Sequence, residues 1–62
     1  MPLIRIDMWE GRDQAIKEKI IVRVTAVVAE EMGISEDHVW IVLDEQPRTN
    51  WGIGGKCGGP SL

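Results

Sequence analysis

A chain of 62 residues with one cysteine and one histidine is a single small domain, held by no internal disulfide and lacking the roughly four ligands of a zinc site. Its formal net charge of −3 excludes the basic stripe with which proteins track nucleic-acid phosphates. No apolar run approaches the ~18 residues of a bilayer-crossing helix, and the start lacks the charged and apolar regions of a signal peptide. Residues 3–9 alternate, with Ile4, Ile6 and Met8 on one face and Leu3, Arg5, Asp7 and Trp9 on the other, which is the period of a strand. Glu10-Gly11-Arg12-Asp13 breaks that run: Gly11 permits a turn and Asp13 is a helix N-cap.

From Gln14 to Met32 the period turns helical. Ile16, Ile20, Val24, Val27, Val28 and Met32 fall on one stripe, and Lys17, Glu18, Arg23 and Glu30 largely off it. Gly33 stands at the left-handed C-cap position. Ile21 and Val22 widen the apolar surface beyond what one sheet face requires. Ser35-Glu36-Asp37-His38 reads as a capped turn. Val39-Trp40-Ile41-Val42-Leu43 is an unbroken apolar run, expected to be a strand buried on both faces. Strand, helix and strand make a βαβ unit, whose crossover is expected to be right-handed with the strands parallel. Pro47 and Asn50 punctuate a loop, Trp51-Gly52-Ile53-Gly54-Gly55 is a tight extended element or hairpin, and 57–62 is expected to be a mobile tail. The fold class is therefore α/β, a single βαβ domain over 1–62 with a short C-terminal β-hairpin. A hydrophobic content of 44% in so short a chain exceeds what one thin layer buries and predicts self-association. The expected compartment is the cytoplasm.

Two apparent motifs fail. Gly52-Ile53-Gly54-Gly55-Lys56-Cys57 suggests a phosphate loop, but Asn50 stands where its first glycine belongs and Cys57 where a Ser or Thr should follow the lysine. No helix can follow through Gly58-Gly59-Pro60. His38 has no nucleophile spaced around it and reads as a surface histidine.

Chemistry gathers instead at Pro2. A small second residue lets Met1 be trimmed, which leaves a free secondary amine on a rigid ring at the head of a strand. An α-amino group ordinarily titrates at about 7.7–8, so about one in seven is unprotonated at pH 7, and more than half if that value drops by about one. Desolvation or a nearby guanidinium supplies such a drop.

Pro2-Leu3-Ile4-Arg5-Ile6, then Glu10-Gly11-Arg12, then Trp51-Gly52-Ile53-Gly54-Gly55, in this order and spacing, resemble the 4-oxalocrotonate tautomerase family over nearly the whole chain. The resemblance implies a tautomerase-like fold assembled as a homohexamer, a trimer of dimers, with a heterohexamer as the alternative. Its active sites would be built from neighbouring chains. It implies cofactor-free proton transfer in an unsaturated keto or enol carboxylic acid, with Pro2 as general base, Arg12 as carboxylate anchor and Trp51 as the pocket's aromatic wall. One departure matters: the family's second substrate-binding arginine falls at Trp40. A tryptophan offers one N–H donor in place of a charged fork, so Trp40 predicts a changed pocket, and Arg48 or Lys56 in the flanking loops becomes the candidate for the missing charge. A non-catalytic subunit of a mixed assembly is the competing expectation. Relatives that activate water use a carboxylate near the glycine element; Ile53 fills that place here, which favours proton transfer without attack by water.

Overall fold

Strands β1 (Leu3–Trp9) and β2 (Trp40–Gln46) lie side by side and parallel, in register from Leu3 opposite Trp40 to Trp9 opposite Gln46. Between them in sequence runs the helix α1 (Gln14–Met32), and a hairpin of β3 (Gly52–Ile53) and β4 (Lys56–Cys57) closes the fold. The computed structural model describes residues 1–58. A parallel pair needs a long crossover, and the 19-residue helix supplies it.

Both helix ends form for local reasons. The Asp13 carboxylate accepts the Ile16 N–H at 2.9 Å, and Gly33 takes the left-handed conformation at φ 65°. There the Ile34 N–H reaches the Ala29 carbonyl at 3.0 Å. These bonds satisfy backbone groups that a helix end leaves unpaired. Asp13→Ala is expected to cost about 1 kcal/mol, read as a lower urea midpoint at fixed protein concentration.

The alternation in β1 holds, with Ile4, Ile6 and Met8 half-buried and Leu3, Arg5 and Asp7 exposed. Register puts Ile41, Leu43 and Glu45 on the helix-covered face and Trp40, Val42 and Asp44 on the open one. The expectation that the second strand is buried on both faces is corrected: Trp40 is 57% and Val42 40% exposed. The strand also runs on through Asp44, Glu45 and Gln46, polar residues that the apolar run did not include. Each has a partner: Arg5 bonds Asp44 at 2.5 Å on the open face, Lys17 bonds Glu45 at 2.8 Å on the other, and Gln46 donates to Asp44 at 3.0 Å.

The helical stripe is corrected too. Ile20, Val24 and Val28 are half-buried, but Ile16, Val27 and Met32 are exposed, and Lys17 takes a half-buried place through its ion pair. Ala29 and Val39 are the only apolar residues fully buried among the described ones. A radius of gyration of 14.5 Å compares with about 10.6 Å for a compact chain of this length. The chain is a slab of 42 × 24 × 15 Å with apolar side chains on both broad faces, a shape that leaves its hydrophobic stabilisation incomplete until something covers it. Of the expected mobile tail, Cys57 belongs to β4 and the Gly58 N–H donates to the Trp51 carbonyl at 2.7 Å; 59–62 lie outside the described residues. No helix among the described residues is long and apolar enough to cross a membrane.

Candidate active site

The candidate residues divide between the two ends of the sheet. Pro2 stands at the head of β1, where its carbonyl accepts the Trp40 N–H at 3.0 Å. That bond extends the parallel ladder by one residue and fixes Pro2 beside the first residue of β2. Trp40 shares the open face with Leu3, its register partner. Arg12, Arg48 and Trp51 lie past the other end. The Glu10 N–H donates to the Gln46 carbonyl at 3.0 Å, which ties together the two loops leaving that end; Arg12 follows Glu10 by two residues and Arg48 follows Gln46 by two. β1 alone is seven residues long, which at about 3.3 Å per residue separates the two ends by about 20 Å. Within one chain, then, Pro2 and Arg12 cannot grip the same small molecule. No cavity is enclosed among the described residues.

The far end is built around a residue that sequence reasoning placed only as a strand position. Trp9, the last residue of β1, packs edge-on against Trp51, ring centroids 5.8 Å apart and planes at 78°. The Arg48 guanidinium lies over the Trp9 ring at 4.1 Å from its centroid, within the range of a cation–π contact. A 3₁₀ turn (Arg48–Asn50) leads from this arginine to Trp51, and the hairpin pins that turn: the Cys57 thiol donates to the Thr49 carbonyl at 2.8 Å. Gly54 and Gly55 make the hairpin possible, since both carry positive φ, 60° and 81°, as a two-residue type I′ turn requires. Arg12 is exposed on its turn and makes no hydrogen bond or ion pair among the described residues. Lys56 is exposed in β4, and His38 is exposed in the 3₁₀ turn Glu36–His38 before β2.

Residues 2–59 match the family model for tautomerase enzymes. The chain belongs to the 4-oxalocrotonate tautomerase family. It is 38% identical over 55 residues to a 2-hydroxymuconate tautomerase of Pseudomonas putida, covering 89% of this chain and 87% of that one. Its fold matches a chain of the heterohexameric 4-oxalocrotonate tautomerase of Chloroflexus aurantiacus J-10-fl with a TM-score of 0.86 at 31% identity, covering 94% of each. It also matches a trans-3-chloroacrylic acid dehalogenase, with a TM-score of 0.79 at 25% identity over 90% of this chain and 97% of that one. Membership of the tautomerase family supports an isomerase activity for this chain. The shared fold also reaches dehalogenase chemistry, so the fold alone does not choose the reaction.

Proposed function

We propose that, with Met1 removed, this tautomerase-family chain is a cofactor-free isomerase in which the Pro2 amine moves a proton within an unsaturated keto or enol carboxylic acid. The observation that carries the reading is the main-chain bond from Trp40 to the Pro2 carbonyl at 3.0 Å. It holds the ring, and with it the nitrogen, at a fixed point of the sheet. The uncharged amine takes a proton from the enol oxygen or an acidic carbon and returns it to a conjugated carbon, so the base is regenerated with no group gained or lost.

Arg12 anchors the substrate carboxylate, its planar fork suiting two oxygens at once. Drawing charge toward that end also favours the electron shift along the conjugated chain. Trp51 walls off water. Trp40, beside Pro2, gives the pocket an aromatic face and one N–H donor where a second arginine is missing. Ile53 supplies no base for water, which favours proton transfer over hydration or dehalogenation.

Because base and anchor stand at opposite ends of one chain, a working site needs two copies, the head of one sheet meeting the far end of another. A homohexamer assembled as a trimer of dimers meets that need, and a mixed hexamer with a second chain is the alternative. Chains retaining Met1 carry Pro2 nitrogen as an amide, with no basic lone pair. Resolved by mass spectrometry from trimmed chains, they are expected to leave the ketonisation of enolised phenylpyruvate at its uncatalysed rate. Equal rates from both forms would remove Pro2 from the chemistry and favour the second reading, a non-catalytic assembly subunit, which Trp40 in the arginine position also supports. Arg12→Ala is expected to raise KM for that acid about tenfold while sparing a neutral enol such as that of phenylacetaldehyde.

A further inference from the structure

The ion pair between Lys17 and Glu45 stands where an apolar contact would serve the core as well. It lies on the helix-covered side of the sheet, its side chains 20% and 27% exposed, with Nζ and Oε1 2.8 Å apart. Taking two charges this far out of water offsets much of their attraction, so such a pair adds little stability over well-packed apolar residues. What it adds is direction, because it forms at only one placement of helix on strand.

That placement governs the turn that carries Arg12. The Glu10 N–H donates to the Gln46 carbonyl at 3.0 Å, which ties the start of the turn to β2. The turn ends at Asp13, whose carboxylate accepts the Ile16 N–H at 2.9 Å and whose carbonyl accepts the Lys17 N–H at 3.2 Å. Asp13 therefore moves with the first turn of α1. Lys17 fastens that first turn to Glu45, the residue next to Gln46. Both ends of the turn are thus tied to adjacent residues of one strand, with only Gly11 and Arg12 between them. Gly11, at φ 125°, brings a permissive backbone that does not by itself hold a neighbour in place.

We propose that Lys17 and Glu45 are positioning residues for Arg12: their ion pair fixes the start of α1 on β2 and so aims the guanidinium at the substrate carboxylate. The proposal rests on the reading of Arg12 as the acid anchor, and not on Pro2 as the base. A guanidinium that grips a carboxylate through two parallel N–H bonds depends on its angle. Loosening the turn therefore weakens the grip without removing the charge.

Binding of trans-cinnamate, an unsaturated acid with no enol hydroxyl, tests this by titration calorimetry on the assembled protein lacking Met1. Arg12→Ala is expected to weaken binding about tenfold, and Lys17→Met about three- to fivefold, a part of the same interaction. In the Arg12→Ala background, Lys17→Met is expected to change nothing further. The exchanged pair, Lys17→Glu with Glu45→Lys, is expected to recover most of the loss that either change causes alone, a rescue that a packing defect would not show. Lys19→Ala, which removes an exposed helix charge, is expected to leave binding unchanged. With enolised phenylpyruvate the Lys17→Met loss falls on KM and spares kcat, and the enol of phenylacetaldehyde is turned over as by wild type.

Cinnamate affinity unmoved by Lys17→Met, in a variant that sediments and melts like wild type, overturns the proposal. So does a loss of the same size with and without Arg12. If Lys17→Met does not fold, Glu45→Gln takes its place; it keeps an acceptor for the lysine and is expected to weaken binding about twofold, and an unmoved affinity there counts equally against the pair. Arg12→Ala that binds cinnamate like wild type sinks the anchor and the pair's role together. Wild type that binds cinnamate through Arg12 and Lys17, yet leaves ketonisation uncatalysed, sinks the isomerase reading alone.

Discussion

Pro2→Ala, in chains shown by mass to have lost Met1, is expected to slow the ketonisation of enolised phenylpyruvate by about a hundredfold in kcat. A positioned general base contributes roughly two to four orders of magnitude, and alanine leaves a primary amine that can still accept a proton. What it loses is the ring that locks rotation about the N–Cα bond and so aims the nitrogen lone pair. The substitution leaves the fold alone, because the bond Pro2 makes to Trp40 uses its carbonyl, and alanine has the same carbonyl. KM for the acid should hardly move, since the proposed anchor Arg12 is untouched. An unchanged kcat would dismiss Pro2 as the base.

Val42→Lys is expected to have the largest effect on the assembly. Val42 sits on the open face directly opposite Arg5 and is 40% exposed in the single chain. If this face met only water, a lysine there would cost little beyond its repulsion of Arg5, about 0.2–1 kcal/mol for a cross-strand pair. Covered by another copy, it forfeits about 1.5–3 kcal/mol of apolar burial and traps a charge with no partner at every repeat of the contact. Wild type should sediment well above its 6.9 kDa chain mass, while Val42→Lys should run as the single chain or lose its far-ultraviolet signal on dilution. A variant that sediments like wild type would show that the open face is not where copies meet.

Much of the fold was legible because the signals were local. The bounds of α1 follow from Asp13 and Gly33, each of which satisfies or terminates a helix end by itself. The faces of β1 follow from strict alternation. The errors came where a residue's environment depends on a partner far away in sequence. Asp44, Glu45 and Gln46 look like a loop until Arg5 and Lys17 are brought against them, and Lys17 lies off an apolar stripe until Glu45 draws it in. Val42 and Trp40 read as doubly buried because an apolar run does not say whether the chain or its neighbour covers the second face.

The candidate residues were legible one at a time through the family resemblance, but their division between the two ends of the sheet was not, since it depends on strand direction and register. Trp9 was missed as the centre of the far-end cluster for a related reason. Alternation assigns it a face, whereas its meaning comes from Arg48 and Trp51, which reach it from 39 and 42 positions further along.

Because β1 separates Pro2 from the loop of Arg12 by its full length, nothing inside a protomer would set the gap between proton acceptor and acid anchor in the proposed isomerase. That gap would be fixed by how two copies lean on each other. A change at the contact between copies, remote from every group that touches substrate, would therefore retune the reach and angle of the reaction, and chains with the same catalytic groups could differ in substrate length through docking pose alone.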